Sequence, residues 1–185
     1  MSTDAGASEQ DDDVRKPVAA VGSAVFFVAA PGVFAGVIPW LLTRWRVGHA
    51  LPFWTPLRVM GGALIALGAG VLIHSFARFV GEGAGTPAPV APTERLVVGG
   101  LYRYVRNPMY LAVLAVIVGQ ALLLGQLGLL PYAAVVAAAF ALFVHWYEEP
   151  TLARSYGAEY AAYRRAVPAW WPRVRPWKSG KSGQT

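Results

Sequence analysis

Two clusters of polar residues interrupt an otherwise apolar chain of 185 residues. The first cluster is the segment 100–110, Gly-Leu-Tyr-Arg-Tyr-Val-Arg-Asn-Pro-Met-Tyr, which holds two arginines and three tyrosines. The second cluster begins at Glu148 and Glu149 and runs to Arg165. Guanidinium groups bind carboxylates bidentately, and aromatic rings stack on flat or cationic ligands. Together the clusters contain the side chains needed to surround a charged small molecule.

The adjacent acids Glu148 and Glu149 need partners, because they follow an apolar segment where a helix end favours cations. The candidate partners are Arg103, Arg106, Arg154 or a cationic ligand. A metal site is not expected, since His145 is the one histidine beside this pair.

Several of these residues also have a purely structural interpretation. Arg103 and Arg106 can anchor a helix to lipid headgroups. Asn107 and Pro108 have the residue types of a helix start, with Asn107 as the N-cap. Tyr156, Tyr160 and Tyr163 share one helical face and can serve packing alone.

Four apolar segments must position these clusters, at residues 18–42, 57–80, 109–124 and 129–147. About 20 apolar residues are needed to cross a bilayer as a helix, so the segments predict four transmembrane helices. Pro31 and Gly32 are expected to bend the first helix. The glycines Gly61, Gly62, Gly68 and Gly70 predict either close helix packing or a lateral acceptor route near His74, Phe79, Met109 and Tyr110.

The distribution of cations predicts the topology of the four helices. With four spans, 13 of the 16 Lys and Arg residues fall on the side of both termini, so both termini are expected in the cytoplasm. The turn 125–128 carries no charge and predicts an antiparallel hairpin of the last two spans. That hairpin would bring the two polar clusters together on the cytoplasmic side.

Composition narrows the class of protein. The chain is 56% hydrophobic and 14% charged, with a net charge of +6, whereas soluble domains carry about 25% charged residues. Because most of the chain is apolar, the positive charge indicates an anionic membrane surface rather than nucleic acid. The absence of cysteine excludes disulfides and cysteine nucleophiles.

Taken as an ordered set, the motifs resemble the isoprenylcysteine carboxyl methyltransferase and phospholipid methyltransferase superfamily, in its bacterial form. The set comprises the segment 100–110, the uncharged hairpin, Glu-Glu-Pro-Thr-Leu (148–152) and Tyr-Gly-Ala-Glu-Tyr-Ala-Ala-Tyr-Arg-Arg-Ala-Val-Pro (156–168), with Gly-Thr-Pro-Ala-Pro (85–89) and Leu-Val-Val-Gly-Gly (96–100) before it. The chain departs from the family pattern at Asn107, where many members have His, at Ala112, where Gly is usual, and at Ala169, where a basic residue often stands.

The resemblance implies an S-adenosylmethionine-dependent membrane methyltransferase without a Rossmann domain. Its cofactor would lie in a cytoplasmic pocket formed by the last two spans and the C-terminal helices. Motif position implies catalytic roles for Arg106, Asn107 and Tyr110. The implied cofactor-binding residues are Tyr102, Arg106, Asn107, Tyr110, Glu148, Glu149, Tyr160, Tyr163 and Arg164, with Arg165 as the alternative to Arg164.

These observations predict an all-α polytopic protein of the bacterial inner membrane. The expected parts are a disordered acidic tail (1–16), two transmembrane helices (17–80), a cytoplasmic connector (81–107), a transmembrane hairpin (108–147), cytoplasmic cofactor-site helices (148–176) and a flexible tail (177–185). Trp170, Trp171 and Trp177, flanked by arginines, predict contact with the membrane interface.

The expected partners are the lipid bilayer and a lipophilic small-molecule acceptor, with no nucleic acid and no metal. The family resemblance implies that the acceptor is either an isoprenylcysteine carboxylate or a phospholipid amine. A small transporter or an assembly protein is the non-catalytic alternative. A transporter predicts polar side chains in mid-span, and His74 and Ser23 are weak candidates for that role.

Overall fold

A computed structural model describes residues 29–48, 53–82 and 96–178. These residues form helices and turns and contain no strand, which confirms the all-α prediction for the described ranges. The predicted N-terminal tail, the start of the first apolar segment, most of the Gly/Pro-rich connector and the last residues of the chain lie outside them.

The helices are α1 (Ala29–Thr43), α2 (Trp54–Glu82), α3 (Pro108–Leu124), α4 (Leu129–Phe143) and α5 (Glu149–Ala166). Helix α5 is kinked at Gly157, whose backbone is not helical (φ 48°, ψ −118°). A π-helical turn at Val144–Glu148 joins α4 to α5 without a break. Trp54–Arg78 and Leu129–Ala166 are long and apolar enough to cross a membrane, whereas α1 and α3 are shorter apolar helices. Two span-length helices are thus present in the described ranges, and the crossing of all four segments stays a prediction.

Helices α2 and α3 pack closely because glycines face the partner backbone. A Cβ atom added to Gly61 would lie 2.6 Å from the carbonyl oxygen of Gly119, and one added to Gly68 would lie 2.8 Å from that of Ala112. Gly62 and Gly70 have no such neighbour within 4 Å. The packing interpretation is therefore confirmed for Gly61 and Gly68. At these levels the two helices leave no lateral route between their backbones.

Pro39 accounts for the irregular turn of α1. The helix takes a π-helical form at Val33–Val37, directly after the bend expected at Pro31–Gly32. Pro39 has no N–H group, so it cannot bond the carbonyl groups of Phe34 or Ala35 that precede it on the helix. These carbonyls are acceptors that need other donors in an apolar setting.

Side chains from α3 and α4 supply those donors. The Gln120 side-chain amide donates to the Ala35 carbonyl oxygen at 2.6 Å, and the Tyr132 hydroxyl donates to that of Phe34 at 2.8 Å. The Trp45 indole N–H donates to the Gln120 side-chain oxygen at 3.2 Å. Gln120 is thus a buried mid-helix amide that the sequence reasoning overlooked, and it joins α1 to α3.

Pro150 repeats the arrangement at the end of α4. The π-helical turn Val144–Glu148 precedes it at the same spacing that separates the turn Val33–Val37 from Pro39. π-Helical turns are often found at functional sites. Here the turn delivers Glu148 and Glu149 to the start of α5.

The hairpin between α3 and α4 is tight, as predicted. Gly125 ends α3 in the left-handed conformation, with φ of 64°, and its N–H donates to the Ala121 carbonyl. Residues 125–128 then lead directly into α4. The segments flanking α3 and α4 at their other ends are therefore neighbours in space.

Candidate functional site

Arg106 forms the centre of a charged network that joins the two polar clusters. Its NH1 group donates to the Glu149 side-chain oxygen Oε1 at 2.7 Å and to the Tyr160 hydroxyl at 3.0 Å. Arg164 NH2 lies 3.1 Å from the other Glu149 oxygen, Oε2. Both carboxylate oxygens of Glu149 are therefore engaged by arginines, and Glu149 holds Arg106 in place.

One N–H donor of Arg106 is both buried and unpaired. Its Nε atom is buried and has no hydrogen-bond partner among the described residues. A buried guanidinium N–H without an acceptor is costly. An anionic ligand would satisfy it.

Glu148 has a different environment from Glu149, although the two are adjacent. Its Oε2 atom accepts a hydrogen bond from the Tyr110 hydroxyl at 2.9 Å, and no described residue bonds its Oε1 atom. Glu148 lies just beyond the apolar segment, and burial raises the pKa of its carboxyl group above the ordinary glutamate value. The Tyr110 hydrogen bond and the nearby Arg106 charge oppose that rise, whereas the Glu149 charge adds to it.

Aromatic rings surround the Tyr110–Glu148 pair. The ring of Phe140 lies 4.6 Å from the Tyr110 ring, and that of Trp170 lies 6.3 Å from it, between centroids. The sequence reasoning assigned no site role to Phe140, and it assigned Trp170 only to the interface. Neither contact has a local sequence signal, because α4 and the C-terminal segment supply them from a distance.

Tyrosines of α5 form a small core beneath the network. Tyr160, Tyr163 and Val167 are buried together, and the Tyr163 hydroxyl donates to the Tyr102 backbone carbonyl at 2.7 Å. Tyr102 is itself buried, which raises the pKa of its phenol far above the ordinary range and keeps it protonated. The predicted tyrosine face is therefore a packing face, which also presents the Tyr160 hydroxyl to Arg106.

The residues that follow α5 return across the first cluster; we call residues 167–178 the C-terminal segment. Arg106 N donates to the Pro168 carbonyl at 2.9 Å, Arg173 N to that of Tyr104 at 3.0 Å, and Trp177 N to that of Arg103 at 2.9 Å. This pairing brings Trp170 to Tyr110 and holds the backbone of Arg106.

Asn107 occupies the N-cap position of α3, but its side chain makes no capping hydrogen bond. Its amide Nδ2 instead donates to the Ala169 carbonyl at 3.2 Å. The predicted cap position is thus correct, whereas the side chain serves to hold the C-terminal segment.

The structure gives the partners of three arginines that the sequence singled out, Arg103, Arg154 and Arg164. Arg103 donates from Nε to the Trp177 carbonyl at 2.7 Å, and Arg154 lies on the exposed side of α5, 3.5 Å from the Thr151 hydroxyl. Among the described residues, neither arginine pairs with Glu148 or Glu149, so the prediction of Arg103 or Arg154 as a partner of these acids is wrong. Arg164, not its exposed neighbour Arg165, joins the Glu149 network. In the described ranges, no group of three His, Cys, Asp or Glu residues could hold a metal ion.

The structure thus assembles all nine predicted cofactor residues into one continuous region. This region offers an unpaired guanidinium donor on Arg106, a partly buried carboxylate on Glu148 and an aromatic wall. Such a set fits a zwitterionic group with a flat or cationic extension.

Comparison with known proteins places the site in context. A family model for phospholipid methyltransferases matches residues 57–159, more than half of the chain. The match includes Arg106, Tyr110, Glu148 and Glu149 and ends just before Tyr160. No curated protein and no solved structure matches the chain at a significant level.

Proposed function

The chain belongs to the phospholipid methyltransferase family, and from that premise we propose that it transfers a methyl group from S-adenosylmethionine to a lipophilic acceptor at the membrane. Family membership supports methyltransferase activity in association with a membrane. The cofactor and the acceptor class are the parts that we propose.

The observation that carries the proposal is the pairing of an unpaired, buried cationic donor with a partly buried carboxylate. Arg106 Nε is a buried cationic donor without a described partner. Glu148 is a partly buried carboxylate whose Oε2 atom accepts from Tyr110 and whose Oε1 atom bonds no described residue. The amino-acid end of S-adenosylmethionine has one carboxylate and one ammonium group. The residues present therefore fit that end, with Arg106 for the carboxylate and Glu148 for the ammonium.

The remaining site residues have supporting roles in this proposal. Glu149, Tyr160 and Arg164 orient Arg106, and Asn107 holds the C-terminal segment over the site. When bound, S-adenosylmethionine would supply an electrophilic methyl group on a sulfonium cation. The rings of Tyr110 and Trp170 can face a cation and exclude water, which favours charge-dispersing transfer. Tyr110 would lie nearest the reacting atoms.

Two acceptor classes follow from different observations. The motifs around residues 100–110 and 148–168 resemble isoprenylcysteine carboxyl methyltransferases, which favours a prenylated carboxylate. The matching family model is that of phospholipid methyltransferases, which favours a phospholipid amine. For either acceptor, we propose four membrane spans with both termini in the cytoplasm, in a bacterial inner membrane.

Calorimetric titration of S-adenosylhomocysteine into the detergent-purified protein tests the cofactor assignment. The wild type should bind, and Arg106→Lys and Glu148→Gln should each weaken binding about ten- to hundredfold, because each loses a charged hydrogen bond. Arg154→Gln removes an exposed charge outside the network and should bind like the wild type. Absence of binding to the folded wild-type protein would overturn the proposal.

A transfer assay with methyl-labelled S-adenosylmethionine distinguishes the acceptors. Vesicles containing phosphatidylethanolamine and micelles containing a farnesylcysteine would be offered separately. A methyl ester formed on a carboxylate releases its label as methanol in base, whereas a methylated amine retains it. Label in neither product, with cofactor binding intact, would exclude both acceptor classes.

A further inference from the structure

The C-terminal segment presents an exposed edge that the site does not use. The side chains of Trp171 and Val174 are 81% and 95% exposed. The same segment is fixed to the protein by backbone hydrogen bonds to Arg103, Tyr104 and Arg106. The exposed edge is therefore held on a rigid support.

The charges of this segment have one sign. Residues 167–178 contain three cations, Arg173, Arg175 and Lys178, and no acid. Arg173 donates to the Ala166 carbonyl at 2.6 Å, whereas Arg175 and Lys178 are exposed. Two exposed cations thus lie beside two exposed apolar side chains.

The backbone of the segment determines how deep such an edge can lie in a membrane. After Ala166 the chain is not helical. Irregular backbone exposed to lipid is not tolerated in the hydrocarbon core, where its polar groups lack partners. Trp and Arg are, by contrast, enriched at the level of the headgroups. Exposed side chains on the apolar helices can therefore face acyl chains, whereas Trp171 and Val174 must lie at the level of the headgroups.

We propose that residues 171–178 dock on anionic lipid headgroups of the membrane that holds the protein, with Trp171 and Val174 in the interface and Arg175 and Lys178 against the lipid phosphates. Each cation near an anionic surface contributes about 1 kcal/mol. The two cations therefore favour an anionic over a neutral surface about thirtyfold. This surface is separate from methyl transfer and does not rest on the proposed cofactor.

A single labelled cysteine tests the docking directly, because the natural chain has no cysteine. Val174→Cys, labelled with an environment-sensitive fluorophore, would be placed in nanodiscs of phosphatidylcholine alone or mixed with phosphatidylglycerol. Quenching by lipids spin-labelled near the headgroup should be strong in the anionic discs and weak in the neutral discs.

A matched pair of charge variants separates local contact from overall charge. Arg175→Gln with Lys178→Gln should abolish the dependence on phosphatidylglycerol. Arg154→Gln with Arg165→Gln removes the same charge from exposed positions on α5 and should preserve it. Calorimetric binding of S-adenosylhomocysteine is not required for either result, so failure here and failure of the proposed function are distinguishable.

Three outcomes would overturn the proposal. The first is no contact of the probe with lipid in either disc, and the second is equal quenching in both discs. Quenching that changes with the number of protein copies per disc would instead assign the edge to contact with a second copy of the chain.

Discussion

Arg106 and Glu149 lie 43 residues apart in the chain, yet their side chains approach to 2.7 Å. The Arg164 guanidinium completes the pair from the other side of the carboxylate. Glu148, one residue earlier, forms no hydrogen bond with either arginine and instead accepts one from the Tyr110 hydroxyl. The adjacent acids therefore have separate tasks, with Glu149 holding Arg106 and Glu148 presenting a carboxylate.

The two acids should respond differently to neutralisation. Glu149→Gln leaves the buried Arg106 charge without its carboxylate partner, and the free energy of unfolding should fall by about 3 kcal/mol. Glu148→Gln retains an acceptor for the Tyr110 hydroxyl and removes a partly buried charge, so stability should be unchanged or higher. Thermal unfolding in detergent near neutral pH measures both. Equal losses for the two variants would contradict this division of roles.

The stability contribution of Glu148 should depend on pH. Burial raises its pKa in the folded protein above the unfolded value, so the folded state favours the protonated form. Its contribution to stability is therefore complete below the ordinary glutamate pKa and is lost as pH rises through the folded-state pKa.

Glu148→Gln stays neutral at every pH, and its melting temperature should rise relative to wild type as the pH increases from about 5 to about 8. Ligand affinity should change in the opposite direction, since the ionised carboxylate binds the ammonium group. S-Adenosylhomocysteine should bind the wild type more tightly as Glu148 deprotonates, and the variant should lack that increment. If the difference in melting temperature between the wild type and Glu148→Gln does not vary over this pH range, Glu148 does not titrate with a raised pKa in the folded protein.

Substitution of a glycine in α2 should lower stability only where that glycine faces α3. Gly68→Ala places a Cβ 2.8 Å from the Ala112 carbonyl oxygen, and the overpacking should destabilise the protein by about 1–3 kcal/mol. Gly70→Ala meets no described atom within 4 Å and should be neutral or slightly stabilising, because alanine favours a helix. Melting temperatures of the two variants provide the comparison, and equal values would contradict the packing of α2 on α3.

The topology prediction can be tested with the same cysteine-free background. A thiol at Leu127→Cys, in the turn between α3 and α4, should react with an impermeant maleimide in intact spheroplasts. A thiol at Thr185→Cys should react only after permeabilisation, because the cation distribution predicts a cytoplasmic C-terminus. Reaction of both thiols from the same side would exclude a membrane-crossing hairpin.

The sequence alone determined the features that depend on neighbouring residues. Apolar runs of helical length predicted the helices, and the uncharged turn at 125–128 predicted the hairpin that brings the polar clusters together. The ordered motifs at 100–110 and 148–168 then indicated the family and the nine residues that the structure assembles. Such features are encoded within a few turns of chain, so hydropathy and motif spacing can reveal them.

The tertiary structure decided which side chains meet. Glu149 pairs with Arg106 and Arg164 rather than with Arg103 or Arg154. The Asn107 side chain bonds the Ala169 carbonyl rather than capping α3. The Gln120 side chain bonds the Ala35 carbonyl, to which Pro39 cannot donate. Each of these contacts, apart from the Arg164 pair, joins residues more than 40 positions apart. Several partners are compatible in charge, and packing of α3, α4, α5 and the C-terminal segment selects the one within reach. That selection depends on three-dimensional distance, which residue type and local spacing do not encode.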